Sequence, residues 1–146
     1  MLGIQFPKFV FQYKQSGGVQ HIFDIVRKKY IQLTPEEWVR QNLIHYLIFE
    51  KKYPKGLISV EKEITVNNLK KRYDIVVYAA NQKPWMLIEC KEPDVAITEK
   101  TLSQLLNYHQ VLQCPFWVLS NGNQNFCAQL EKGRVSWLKN LPVYGI

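Results

Sequence analysis

The sequence has few cysteines and no long hydrophobic run, and both absences exclude whole classes of protein. Cys90, Cys114 and Cys127 are odd in number and form no CxxC motif. This argues against a disulfide framework or a zinc–thiolate site and fits the reducing cytoplasm. The longest apolar run, residues 43–49, is too short to cross a bilayer. The first residues also lack the basic start and long apolar block of a secretory signal. We therefore expect a cytoplasmic protein without a membrane segment.

Motifs for nucleotide-driven motors and for nucleophilic hydrolases are also missing. There is no GxxxxGK[ST] loop, and no glycine-rich dinucleotide fingerprint follows a strand. The stretch "LSNG" at residues 119–122 is not a nucleophile elbow. His21, His45 and His109 are too scattered to indicate a metal site.

Acidic residues are outnumbered by basic ones. The 146 residues include 19 Lys and Arg against 12 Asp and Glu, a formal net charge of +7. Such a balance suits a polyanionic partner such as nucleic acid, although a solvated basic surface would give the same count. With 47% hydrophobic residues the chain can bury a core, and its length suits one domain over residues 1–146.

The pattern of helix and strand signals predicts an α/β fold. Thr34, Pro35 and Glu37 form a helix start with a capping box, and this helix should run to about Tyr53. Thr98 caps a second helix. The remaining expectations are an irregular segment over 1–20, a short strand near 29–33, strands at 58–66, 71–79, 85–91 and 116–119, the second helix at 99–113, and a terminal hairpin at 126–130 and 135–138. The strand–helix–strand order predicts that the strands at 85–91 and 116–119 are parallel.

Charged residues interrupt two apolar strands. Asp74 directly precedes residues 75–77, while Glu89 and Lys91 end the strand at 85–91. Strand alternation puts Glu89 and Lys91 on one face, roughly 7 Å apart, and Asp74 on the neighbouring strand could face them. Two carboxylates suit Mg²⁺, which activates water, and a lysine can stabilise developing negative charge. The alternative is a cross-strand ion pair at the rim of the sheet.

The pattern Asp74…Glu89-Cys90-Lys91 resembles that of the PD-(D/E)xK nuclease superfamily. With "LTPEEWVRQ", "RYDIVVY", "LIECKEP", "QLLNY" and "LSNG" in that order, residues 20–122 resemble the N-terminal nuclease domain of type I restriction enzyme R subunits, in a small stand-alone form. The resemblance implies a restriction-endonuclease-like mixed sheet flanked by helices. It also implies Mg²⁺-dependent cleavage of DNA, with Mn²⁺ able to substitute. Tyr73 stands where the superfamily usually has proline.

The resemblance also assigns roles to individual residues. Asp74 and Glu89 would bind the metal, and Lys91 would be the catalytic lysine. Glu37 matches a position where related nucleases place another acidic residue near the metal, although the capping box alone would account for it. Gln104 matches the first residue of a Gln-x3-Tyr motif close to the active site.

Further residues are candidates for contact with nucleic acid. Tyr108 completes the Gln-x3-Tyr motif and would border the substrate together with Gln104, although a solvated helix face is the alternative. Lys70, Lys71 and Arg72 precede Asp74 and could contact phosphates, or simply form a charged, solvated hairpin.

The partners follow from the same resemblance. Type I R subunits couple cleavage to a translocating motor, which this chain lacks, so the domain acts alone, joins separate motor or specificity subunits, or no longer cuts. The main alternative is a catalytically silent nucleic-acid-binding or assembly module on the same fold, and a weaker one is a phosphodiesterase acting on RNA or a nucleotide. Cleavage of both DNA strands would need a second copy, which favours a homodimer.

Overall fold

Two sheets and two α-helices make up the computed structural model, which describes residues 1–145. For Val66 and residues 107–112 it describes the backbone alone. The first sheet has three antiparallel strands, β1 (Tyr13–Ser16), β2 (Val19–Asp24) and β3 (Lys29–Gln32). The strand near residues 29–33 is confirmed, but the expectation of an irregular segment over 1–20 holds only for residues 1–12, because β1 begins at Tyr13. Gly17 and Gly18, at φ +60° and +77°, turn β1 into β2 in a conformation that glycine adopts readily.

The first helix, α1, runs from Pro35 to His45 and begins where the sequence predicts. The backbone N–H of Glu37 donates to Thr34 Oγ1 at 3.1 Å, which is the expected cap. The chain then continues as a π-helical turn over Tyr46–Glu50, so the prediction of one α-helix to Tyr53 is wrong in its last part. No helix within the described residues is long and apolar enough to span a membrane.

The second sheet has six strands in sequence order. They are β4 (Ile58–Val66), β5 (Leu69–Tyr78), β6 (Pro84–Cys90), β7 (Phe116–Ser120), β8 (Asn125–Glu131) and β9 (Arg134–Trp137). Helix α2 (Glu99–Leu112) joins β6 to β7, and these two strands are parallel, as predicted. The other pairings in this sheet are antiparallel, so the sheet is mixed.

The helices cover opposite faces of this sheet. Val39 and Leu43 of α1 pack with Met86, Ile88 and other residues in one buried cluster. On the opposite face, Leu105 of α2 packs with Leu119 of β7, and Leu87 and Trp117 form a further cluster to which Leu106 adds. Strands β6 and β7 are therefore buried on both faces, which explains their continuous apolar sequences.

A local distortion at Glu61 and Asp74 switches which face of the sheet the alternate side chains of β4 and β5 point to. Val60 and Ile75 pack on the α1 face, whereas Tyr73 packs on the opposite face, although alternate residues of a regular strand share a face. Glu61 has a φ of +55°, and the register is the same on both sides of it. The predicted unbroken alternation from Ile58 to Val66 is therefore wrong beyond Glu61. The distortion lets Asp74 turn towards α1.

Candidate active site

Asp74 lies where β5 and β6 stop pairing through their backbones. The last backbone partners before it are Ile75 and Ile88. Beyond them, Asp74 Oδ2 accepts the N–H of Cys90 at 2.8 Å, so its side chain takes the place of a backbone acceptor. This bond fixes Asp74 on the peptide between Glu89 and Cys90. The two halves of the sequence pattern thus meet at one point of the sheet.

Glu89 and Lys91 lie on the α2 face, along one open cavity of about 260 Å³. Its lining comprises Lys71, Glu89, Lys91, Thr101, Gln104, Leu105 and Leu119. The N–H of Lys91 donates to Ser120 O at 2.8 Å, which continues the pairing of β6 with β7 and holds this residue in line with the strand. The side-chain alternation that the sequence predicts for Glu89 and Lys91 is therefore present. Cys90, between them, is buried on the opposite face as expected. Asp74 also turns to that opposite face, towards α1, so the prediction that it faces Glu89 and Lys91 is wrong.

The sequence pattern suggested Lys91 as the cation beside the two carboxylates, but other basic side chains contact them. Lys71 Nζ forms an ion pair with Glu89 Oε1. Among the described side chains, no ion pair engages the ammonium of Lys91. The ion pair with Glu89 is a cross-strand pair of the kind that the alternative interpretation predicts, but it is made by Lys71 and not by Lys91, which stays available in the cavity.

Arg40, on α1, binds the other carboxylate. Its Nη2 donates to Asp74 Oδ1 at 2.7 Å and its Nη1 donates to Glu37 Oε1 at 2.7 Å. Glu36 and Glu61 lie further from the same guanidinium, at 3.5 and 3.4 Å. Arg40 is buried, so these charges are weakly screened. Sequence reasoning missed this residue, although its spacing of three from Glu37 on a helix was a signal.

A second layer of polar residues holds Glu37 in place. Glu37 Oε2 accepts from Arg27 Nη2 at 3.0 Å and from Gln41 Nε2 at 3.1 Å. Both donors also contact the fully buried Asp24, Arg27 through Nε at 2.6 Å and Gln41 at 2.9 Å. Burial raises the pKa of Asp24, but hydrogen bonds from Arg27 and Gln41 outweigh burial and the net pKa is lowered. The network links the three-stranded sheet to Asp74.

The pKa of Glu36 responds to the charges of Asp74, Arg40 and Lys91. Burial raises the pKa of Glu36, the charge of Asp74 raises it further, and Arg40 and Lys91 act in the opposite direction. The net pKa of Glu36 is raised, and both Asp74 and Lys91 contribute to the shift. Glu36 was not among the candidates from the sequence, because its position in the first helical turn already accounts for an acidic residue.

The remaining candidates are placed as follows. Glu37 lies on the α1 side and is joined to Asp74 through Arg40, while Gln104 is exposed at the α2 cavity. Lys70 and Arg72 are exposed on β5. The side chain of Tyr108 lies outside the described residues.

The donor set suits a hard cation, although the carboxylates now bind basic side chains. Mg²⁺ in proteins commonly takes one or two carboxylates, with water and substrate oxygens completing its octahedron. Asp74 and Glu89 supply two carboxylates from adjoining backbone positions, and the bound Arg40 and Lys71 mark where positive charge is stabilised. Within the described residues, no group of three His, Cys, Asp or Glu side chains could hold a metal ion. Because Asp74 turns towards α1 and Glu89 lies on the α2 face, the two carboxylates could share a cation only if Glu89 left Lys71 and turned towards Asp74.

Known proteins match this chain at two levels. Residues 35–142 match the family model of the type I restriction enzyme R protein N terminus. The fold is similar to the crystal structure of a candidate nuclease of the DUF820 family from Anabaena variabilis, with a TM-score of 0.52 at 13% identity, over 80% of this chain and 78% of that one. No curated protein matches the sequence. Since the family model covers more than half of the chain, this protein belongs to the family of type I restriction enzyme R protein N termini.

Proposed function

We propose that this protein hydrolyses DNA phosphodiester bonds with the help of Mg²⁺. The observation that carries the proposal is the bond from Cys90 N–H to Asp74 Oδ2, which joins the aspartate to the Glu-x-Lys segment. The nuclease-like family supports the same chemistry. Magnesium dependence, DNA as the substrate and a cytoplasmic location stay predictions.

Each residue has a distinct task in this proposal. Asp74 and Glu89 would hold the cation, which when bound supplies an activated water and neutralises charge on the phosphate. Lys91, which shares the cavity with Glu89, would donate to the phosphate oxygen that gains charge or orient the attacking water. Gln104 lines the same cavity from α2 and would contact the backbone of the substrate.

Lys71 and Arg40 set the resting state of the carboxylates. Glu89 must leave Lys71 before it can share a cation with Asp74, and the freed ammonium could then contact a DNA phosphate. Arg40 is held by Glu37 as well as by Asp74, so it stays beside the site as a fixed positive charge. Glu37 therefore supports Asp74 through Arg40.

The basic character of the chain suits the proposed substrate. The net charge of +7 would supply phosphate affinity that does not depend on sequence and that falls as salt rises. Lys70 and Arg72, exposed on the strand that carries Asp74, would contribute to this affinity. Cleavage of both strands would need a second copy or a partner subunit.

Nicking of supercoiled plasmid in Mg²⁺ or Mn²⁺ tests the proposal. Lys91→Ala should lower the nicking rate by about 100-fold or more, which is the usual cost of removing one group that stabilises transition-state charge. Lys139→Ala, which removes an exposed lysine after β9, is the matched control and should leave the rate unchanged. Calorimetry should detect Mn²⁺ binding to the wild type and a weaker signal for Asp74→Asn. Equal nicking by the Lys91 variant and the wild type would exclude the assigned mechanism.

A second candidate function rests on the resting ion pairs. Both carboxylates already bind basic side chains, which is the arrangement expected of a nucleic-acid-binding module that keeps the fold without cutting. In that case, plasmid should bind in a salt-dependent way, and neither nicking nor Mn²⁺ binding should be detected. Comparing duplex DNA, single-stranded DNA and RNA in the nicking buffer also tests the phosphodiesterase alternative.

A further inference from the structure

A strip of aromatic rings joins the three-stranded sheet to the end of α1. Phe23 of β2 contacts Tyr30 of β3, with ring centroids 5.2 Å apart. Phe23 also lines a cavity of about 270 Å³ together with three further phenylalanines and His45. The aromatic strip comprises Tyr30, Phe23, Phe9, Phe11, His45 and Phe49.

At the end of α1, the ring of His45 is surrounded by three phenylalanine rings of the strip. The ring of His45 lies 4.6 Å from Phe11 and 5.4 Å from each of Phe9 and Phe49. Burial lowers the pKa of His45, which keeps the ring neutral at physiological pH. A neutral imidazole beside phenylalanine rings adds a flat surface without adding charge.

Parts of the strip face water. Phe49 is 49% exposed and Tyr30 is 38% exposed, and the neighbouring Val10 is 94% exposed. Exposed apolar residues that adjoin one another on a small protein often mark an interaction site. Rings that are only half covered leave a face for another flat group.

The segment that carries most of the strip is mainly basic, although the exposed Glu50 follows Phe49 directly. Residues 1–33 contain five basic residues, Lys8, Lys14, Arg27, Lys28 and Lys29, against the single acid Asp24. Asp24 is fully buried and paired with Arg27, so it does not offset the exposed lysines. Lys14 Nζ lies 5.4 Å from the centre of the Tyr30 ring, which puts a cation directly beside a stacking surface.

We infer that the aromatic strip binds unpaired nucleotides, with bases stacked on its rings and phosphates on its lysines. A basic surface interleaved with exposed aromatics is how proteins hold single strands, since every base has a face that can stack. A duplex hides those faces within its own stack. A protein partner would need an acidic surface of its own to match these lysines.

The strip includes the end of the helix that carries Arg40. His45 follows Arg40 by five residues on α1, which is about 7.5 Å along the helix axis and about 140° around it. A strand held on the strip would therefore lie on another side of α1 from Asp74, which Arg40 contacts. The inference rests on the proposed function only in naming that strand as the substrate, because binding itself requires no cleavage.

Anisotropy of a labelled thymidine oligonucleotide, measured in EDTA, tests the inference. Phe49→Leu keeps an apolar side chain but removes the ring, so it should weaken binding at least about five-fold, while Phe49→Trp should bind like the wild type. Trp137→Leu is the control, because Trp137 is 45% exposed but lies on β9. Lys14→Gln should reduce the slope of log affinity against log salt by about 0.7.

The outcomes separate this inference from the proposed function. Equal oligonucleotide affinity for Phe49→Leu and the wild type, or tighter binding of duplex than of single strand, would overturn it. Tyr30→Ser, on the exposed face of β3, repeats the test if the Phe49 variants fail to fold. Oligonucleotide binding without plasmid nicking would refute the proposed function alone, and nicking without oligonucleotide binding would refute the aromatic strip alone.

Discussion

Replacing Arg40 by methionine should destabilise the protein strongly. Arg40 is 5% exposed and Glu37 is 4% exposed, and their hydrogen bond measures 2.7 Å. Breaking a buried ion pair by removing one partner costs about 3–5 kcal/mol, because the remaining charge is left in a poorly solvated place. Glu37 keeps its bonds to Arg27 and Gln41, so we expect the lower end of this range, about 3 kcal/mol.

Urea unfolding and thermal melting measure this loss directly. For a chain of this size, about 3 kcal/mol corresponds to a fall in Tm of about 10 °C. Arg134→Met removes an exposed arginine from β9 and should change the free energy of unfolding by no more than about 0.5 kcal/mol. Measurements in EDTA exclude any effect of divalent metal.

A double variant identifies the source of the loss. If the unpaired carboxylate causes it, adding Glu37→Gln to Arg40→Met should recover part of the stability, so the two changes should not be additive. Additive losses, or an Arg40 variant within about 1 kcal/mol of the Arg134 control, would refute the reasoning from buried charge.

Two further predictions follow from pKa shifts. Because the pKa of Asp24 is lowered in the folded state, its ionised carboxylate stabilises the fold fully above the pKa of the unfolded chain, about 3.9. This stabilisation is lost as pH falls through the lower pKa of the folded state. Urea titrations from pH 6 downward should therefore show a steeper loss below about pH 4 for the wild type than for Asp24→Asn, and parallel curves would contradict this. Burial raises the pKa of Cys114 and Cys127 to about 12, so neither thiol should react with a disulfide reagent at pH 8 until urea is added. Rapid labelling of either thiol in the folded protein would show that this burial is incorrect.

Sequence reasoning succeeded where a local rule decides the structure. The cap at Thr34 and the alternation of Glu89 and Lys91 each depend on neighbouring residues alone. Between the strands predicted at 58–66 and 71–79, Asn67 and Asn68 have positive φ values, 50° and 65°, which a tight hairpin turn requires. The parallel pairing of β6 with β7 followed from a connection long enough for a crossover helix.

Sequence reasoning failed where the structure depends on contacts between residues far apart in the chain. The distortion at Glu61 is visible only once β4 and β5 pack against different clusters, since a strand pattern alone predicts unbroken alternation. The partners of Asp74 and Glu89 were missed for the same reason. Arg40 reaches Asp74 from another element of the fold, and which lysine pairs with Glu89 depends on the register of β5.

These two ion pairs differ in how easily they can open, and the difference bears on the order of events at the site. Arg40 is buried and shares its charge between Asp74 and Glu37, and Asp74 is further fixed on Cys90 N–H. Lys71 has a side chain that is 29% exposed, so water and salt screen its pair with Glu89. Glu89 is therefore the carboxylate that moves if both are to act on one cation, and Asp74 is the fixed reference. Lys71→Met removes the ammonium that competes for Glu89, so calorimetry should show a higher Mn²⁺ affinity than the wild type at low salt, and this gain should shrink at high salt, where the wild-type pair is already screened.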